Sequence, residues 1–336
     1  MIEINKLFCR DIKMLLWGIL LFHLSQVLCS CSRTEVSNVA CDIIKTIDVY
    51  PDSSYFSDIR CMQYYNEKVY LLDAKRRDIA VLDSGLRSIE VLGTVGDGPE
   101  DFQLPLKFYM DKDTLYLLDA GSGSVKAYCE NRYITQYKLL SALDERFVKA
   151  NDRLYIPCVT DTSSILSFSI NDSVMNTEYL GELFSFDSGR KVRLLNNRKL
   201  LQQNGFLYAV SDNQFVVEKY DVRNGNSVEQ YNFSGLELVR KNREWINGHS
   251  ADENSYYVSI EDVYIQKNKM YLLSATFIDD YKSNTVLELD IVPAMKIVRA
   301  YTLPGKNYRS ICVSPNHCLY AFNTNCTIEK IKLKRD

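Results

Sequence analysis

The chain has 336 residues, of which 46% are hydrophobic and 25% charged, with a formal net charge of −3. A domain near this length buries enough apolar surface to need no disulfide framework. A charge so close to balance excludes the strongly basic surfaces that bind nucleic acid or attach a polybasic patch to a membrane.

The first elements are a leader. Lys6, Arg10 and Lys13 make a basic start, followed by the apolar run MLLWGILLF at 14–22. About 20 apolar residues are needed to span a bilayer, so this run has the length of a signal-peptide core instead. Leu28 to Cys31, LCSC, resembles a bacterial lipobox, in which a leucine stands three positions before a cysteine that becomes the lipidated N-terminus. Cys31 fits that spacing, whereas Cys29 has Gln26 in the leucine position. An ordinary cleaved signal and an uncleaved anchor are the alternatives. The lipobox resemblance implies a signal peptide over 1–30, a lipidated tether over 31–41 and membrane attachment through acyl chains, each buried CH₂ adding about 0.8 kcal/mol. By resemblance to Gram-negative lipoproteins, Ser32 rather than Asp after Cys31 implies the outer membrane, on a side the sequence leaves open.

Residues 42–336 read as one all-β domain. After a lone strand, DIIKTIDVY at 42–50, six hairpins follow, each centred on a tyrosine: Tyr70, Tyr116, Tyr155, Tyr208, Tyr271 and Tyr320. Repeats about 40–50 residues apart with several strands each are the mark of propeller blades. The second repeat shows the unit, with strands A (106–113), B (115–120), C (125–130) and D (133–139). The turn before each B strand is built from residues that accept left-handed φ, such as Asn, Asp, Gly and Lys. Each repeat tyrosine is expected to pack its ring between adjacent blades with its hydroxyl near solvent. The last repeat has A (309–315), B and C (327–333) but no D. The strand at 42–50 supplies it, so the expectation is a six-bladed β-propeller of four-stranded antiparallel blades, the last closed by the N-terminal strand.

Between the first two repeats stands LGTVGDGPEDFQLPLKFYMDKDTLYLLDAGSGSVKAY, 92–128. Through Gly96, Gly98, Pro99, Phe102 and Pro105 it resembles the NHL repeat. Together with the lipobox, the chain resembles the NHL/TolB-like six-bladed propeller lipoproteins of Gram-negative gut anaerobes. The pattern is strong over 69–140, and blades three to five lack the Gly-Pro-acidic-Phe element. This resemblance implies a fold and an envelope location more than a reaction.

Chemistry is sparsely supplied. After processing, Cys41, Cys61, Cys129, Cys158, Cys312, Cys318 and Cys326 remain, an odd number at irregular spacing. Buried free thiols are expected, with one bridge open among Cys312, Cys318 and Cys326. His249 and His317 are the only processed-chain histidines, and no C-x-x-C or H-x-x-x-H occurs, so no metal, cofactor or catalytic residue is assigned. Counting nine to eleven residues back from the tyrosines places Arg60, Lys107, Lys199 and Arg309 at the starts of A strands. Lys149 stands six back in blade three, and Glu261 takes the place in blade five. If A strands line the channel, these cations ring its mouth and need counter-charges, either the loop acids Asp73, Asp119, Asp161, Asp279 and Asp280 or an anionic ligand. Trp245, in the long insertion at 234–257, either stacks on a ligand or forms the insertion's small core. The expected function is an envelope-anchored binding or protein-interaction scaffold that takes an envelope protein or glycan on its channel face, and no nucleic acid. A propeller hydrolase or lyase is the alternative.

Overall fold

The computed structural model describes residues 36–139, 145–171, 176–249, 256–277 and 280–334. Cys31 and the expected leader lie outside the described residues. Two strands come first, β1 (Ser37–Ala40) and β2 (Asp42–Ile47). Blade one holds β3 (Ile59–Tyr65), β4 (Lys68–Asp73), β5 (Asp78–Asp83) and β6 (Ser88–Leu92). Blade two holds β7 (Pro105–Asp111), β8 (Thr114–Asp119), β9 (Ser124–Cys129) and β10 (Arg132–Lys138). Blade three holds β11 (Val148–Ala150), β12 (Arg153–Pro157), β13 (Ile165–Ser169) and β14 (Thr177–Leu180), and helix α1 (Gly189–Leu195) follows. Blade four holds β15 (Arg198–Gln203), β16 (Phe206–Ser211), β17 (Val216–Asp221) and β18 (Ser227–Asn232), followed by α2 (Glu237–Gly248). Blade five holds β19 (Ile260–Gln266), β20 (Lys269–Thr276), β21 (Lys282–Asp290) and β22 (Lys296–Thr302). Blade six holds β23 (Tyr308–Val313), β24 (Cys318–Asn323) and β25 (Thr327–Lys332).

These sheets close into a ring. The innermost strands touch in order, β3 to β7, β11, β15, β19 and β23, and β23 returns to β3. Strand β2 completes blade six by pairing antiparallel with β25, Asp42 opposite Lys332 and Ile47 opposite Ile328. It stops at Ile47, short of the expected residue 50, because Tyr50 N–H closes a turn onto Ser54 O at 2.8 Å. The sequence did not anticipate β1. Residues 37–40, expected within the tether, pair in parallel with the outer edge of β22, so blade five has five strands. Cys41 N–H donates to Thr302 O at 3.0 Å, and the chain then crosses to blade six. One N-terminal segment therefore covers two edges that would otherwise stand open.

The core lies between blades. Tyr70 clusters with Phe108 and Leu115 of the next blade, Tyr116 with Phe147 and Leu154, and Tyr155 with Leu200 and Leu207. Tyr208 clusters with Ile260 and Val263, Tyr271 with Ile311 and Leu319, and Tyr320 with Leu71 and Leu82 across the closure. All six are buried, as expected. The Tyr155 hydroxyl donates to Val222 O of the next blade at 3.3 Å and that of Tyr320 to Ser84 O across the closure at 2.9 Å, so these two meet backbone where solvent was expected. The A–B turns take left-handed φ at Asn66, Lys112, Asn151, Asn204, Lys267 and His317, one in every blade, which is why that turn chemistry recurs. No disulfide joins the described cysteines, Cys312, Cys318 and Cys326 included.

Candidate functional site

The A strands begin irregularly at the channel mouth. Register shifts between Ile59 and Cys61, Ile260 and Asp262, and Tyr308 and Ser310 leave Arg60, Glu261 and Arg309 as bulge residues. A bulge bends the strand and re-aims the side chain it carries. Arg60 and Arg309 converge on one carboxylate: Arg60 Nε lies 2.8 Å from Asp58 Oδ2 and Arg309 Nη1 lies 3.0 Å from Asp58 Oδ1. Lys107 Nζ donates to Arg60 O at 2.6 Å. The mouth is therefore predominantly basic on blades six, one and two.

Blades three, four and five carry the opposite sign. Lys199 is 3% exposed, with Nζ 2.6 Å from Glu145 Oε2 and 2.7 Å from Asp212 Oδ1. Burial opposes its charge, but Asp212 and Glu145 together hold the ammonium above its ordinary pKa. Glu261 accepts a hydrogen bond from the Tyr281 hydroxyl, and burial raises its carboxyl against the pull of Lys199 and Arg309. Beside Lys199, Asp212 Oδ2, Asn197 Oδ1, Asn213 Nδ2 and Ser259 Oγ are buried with no hydrogen-bond partner among the described residues. Desolvation by burial, reinforced by Asp212 and opposed by Lys199 and Lys107, pushes the Glu145 carboxyl up to about 7. An unfolded glutamate titrates near ~4.3, so the folded state binds the extra proton. The resulting stability is full below about pH 4 and is lost as pH rises through about 7. Glu145→Gln is expected to flatten that part of the curve, read as urea midpoints of both proteins from about pH 4 to 8. Parallel curves would contradict the assignment.

Below the mouth the axis is sealed. Arg146, 5% exposed, reaches from blade three across the ring: Nη2 donates to Asp262 Oδ2 of blade five at 2.7 Å, to Met62 O of blade one at 3.2 Å and to Ile311 O of blade six at 3.0 Å. Asp262 Oδ2 also accepts from Ile311 N at 2.8 Å and Ser310 Oγ at 3.0 Å. A cavity of about 240 Å³ lies on the far side of this pair, lined by Gln63, Tyr65, Tyr109, Gln202 and Tyr264.

One sequence expectation is corrected here, and one residue is added. In blade three the channel cation is Arg146, and Lys149 instead pairs with Asp111 at 2.7 Å beside the Tyr116 ring. In blade five Asp262 takes the axial place and Glu261 the bulge. The signal was present: Arg146 stands nine residues before Tyr155 and Asp262 nine before Tyr271, the spacing that found Lys107 and Lys199. The counter-charges also differ. Asp73 accepts from the backbone of Ser57, Lys75 and Arg76, and Asp119 from Gln103, Leu104 and Gly121, so both hold loops in place. Asp280 pairs with Lys306 at 3.0 Å, while Asp279 lies outside the described residues. Trp245, on α2, stands parallel to His249 at 3.9 Å and to Phe277 at 4.4 Å, with Tyr257 edge-on at 5.1 Å. Phe277 is buried, Trp245 and Tyr257 are half-buried and His249 is exposed. Phe277 in turn meets Tyr281 at 5.2 Å, which joins the aromatic cluster to Glu261 at the mouth. Among the described residues, no three His, Cys, Asp or Glu side chains are grouped to hold a metal ion.

No protein-family model matches the sequence, and no curated protein is significantly similar to it. Solved structures are similar over most of the chain. A Bacteroides fragilis protein named as exported is 12% identical, covers 89% of this chain and 99% of its own, and has a TM-score of 0.58. A member of the DUF4221 family from Bacteroides vulgatus is 12% identical, covers 91% and 100%, and has a TM-score of 0.55. The WD40 propeller domain of Doa1 is 11% identical over 88% and 98%, with a TM-score of 0.52. At such identities the likeness establishes the β-propeller fold and nothing finer.

Proposed function

We propose that the protein is a binding module of the cell envelope, lipidated at Cys31, held at the outer membrane, and docking a partner protein at the channel mouth. The observation that carries this reading is the sealed axis. With Arg146 and Asp262 closing the channel, the mouth is a rim of paired charges, basic on one side and acidic on the other. Such a rim confers partner specificity through complementary charge rather than deep enclosure. Trp245 and its aromatic neighbours flank it. A structural neighbour named as exported agrees with an envelope location, and the NHL/TolB-like resemblance points the same way.

The test is cross-linked capture from the protein's own envelope with the wild type and an Arg60→Glu, Arg309→Glu double variant of matched stability. A defined partner held by the wild type and lost from the variant is expected. Equal capture by both would overturn docking at the mouth, and a Cys31→Ala protein still found in the membrane fraction would overturn the anchor. A second reading, a propeller hydrolase or lyase, is favoured by one observation: Glu145 lies 2.6 Å from Lys199, with Asp212 on the same ammonium, and burial raises its carboxyl to about 7, in the range that suits a general acid or base. Turnover of a glycoside that disappears in Glu145→Gln would establish it.

A further inference from the structure

A groove of about 730 Å³ runs between blades one and two, on the side that carries the A–B and C–D turns, away from the mouth. That volume lies within the ~300–1,000 Å³ of small-ligand sites. Its walls carry Tyr65 from blade one and Tyr133 from blade two, both half-buried, while Tyr70 and Tyr128, each 8% exposed, form the core floor beneath them. Tyr133 meets Tyr128 edge-on at 5.9 Å, and Tyr128 meets Phe102 at 5.5 Å. Gly93 permits this arrangement. It sits at φ +91°, and a Cβ there would fall 2.5 Å from the Phe102 ring.

The polar groups of the groove suit a neutral ligand. Tyr128 donates to Glu100 O at 2.9 Å, whereas the hydroxyls of Tyr65, Tyr70 and Tyr133 make no hydrogen bond among the described residues. Glu90, Glu100, Asp113 and Glu130 are nearly balanced by Lys68, Lys112 and Arg132, and Lys68 pairs with Glu90 at 3.4 Å. A strongly charged ligand would find little net field here. A ring with apolar faces and many hydroxyls would use every feature: its C–H faces against tyrosine rings, and its hydroxyls on phenols, carboxylates and the amides of Asn66 and Asn131.

We propose that this groove binds a neutral pyranose oligosaccharide. The experiment is calorimetric titration of the protein with maltotetraose, cellotetraose and chitotetraose, alongside an unstructured peptide of equal length. At least one sugar is expected to bind. Tyr133→Ala, a half-buried residue on the outer strand β10, should weaken it roughly tenfold, and Tyr65→Ala likewise. Arg309→Glu at the mouth should leave it unchanged, which separates this site from the mouth. Near-ultraviolet circular dichroism confirms that each variant is folded. Binding of none of the sugars, binding of the peptide alone, or sugar affinity untouched in folded Tyr133→Ala would each overturn the proposal.

Discussion

Replacing Arg146 by methionine is expected to lower the unfolding free energy by about 3–5 kcal/mol, the cost of leaving one member of a buried ion pair alone. The carboxylate of Asp262 would remain 3% exposed in the middle of the ring. Burial, the largest influence, already pushes that carboxyl upward. Arg146 and the Ile311 N–H more than offset it and hold it below the usual range. A depressed folded pKa means that this contribution is present above about pH 4 and is lost as pH falls further. In Arg146→Met the balance reverses, so protonation of Asp262 should move toward neutrality and the variant should lose less stability on acidification than the wild type. An Arg146→Met, Asp262→Leu double variant should recover part of the loss. It cannot recover all, because Ile311 N–H and the carbonyls of Met62 and Ile311 lose their partners. Equilibrium urea unfolding of the three proteins checks this. A single variant as stable as the wild type would contradict the axial role.

The second large effect is expected from deletion of residues 36–47. Strand β2 is mostly exposed, so its contribution comes less from side-chain burial than from pairing with β25. Deletion leaves two open edges, β22 in blade five and β25 in blade six, the latter with Ile328 and Ile331 buried beside it. It also removes Cys41, 6% exposed, from the cluster that joins blades five, six and one. Net backbone hydrogen bonds contribute about 0.5–1.5 kcal/mol each, so losing two strands costs several. Open edges also pair with other copies. The shortened protein should therefore unfold at markedly lower urea and elute as oligomers in size-exclusion chromatography. A monomer with an unchanged midpoint would contradict the clasp.

What could be read in the sequence follows from what repeats. The tyrosines of the B strands recur because each fills the same seam between blades, and the turn residues before them recur because every hairpin needs left-handed φ. The missing last strand pointed to residues 42–50 by strand counting alone. Strand β1 escaped that count because blade five already has its four strands. At the mouth, Arg60, Lys107, Lys199 and Arg309 were found by spacing, while Arg146 was hidden by the more conspicuous Lys149. Glu261 was found at the same bulge as Arg60 and Arg309, whereas its neighbour Asp262, at the nine-residue spacing of Lys107 and Lys199, was passed over because one residue had already been assigned to blade five. The partners were less visible still. Asp58 is two residues from Arg60 but meets Arg309 only across the closure, and Arg146 meets Asp262 only because the ring brings blades three and five together.

Cysteine cross-linking reports most directly on the ring. Lys45 and Lys330 are directly opposed across β2 and β25, and Cα atoms joined by a disulfide lie about 4.4–6.8 Å apart. Lys45→Cys with Lys330→Cys, oxidised and mapped by proteolysis and mass spectrometry, should give an intramolecular 45–330 bridge in the monomer. Lys45→Cys with Lys138→Cys, on the outer strand of blade two, should give none. Failure of the first pair to cross-link, or bridging by the second, would mean that the N-terminal strand does not complete the sixth blade.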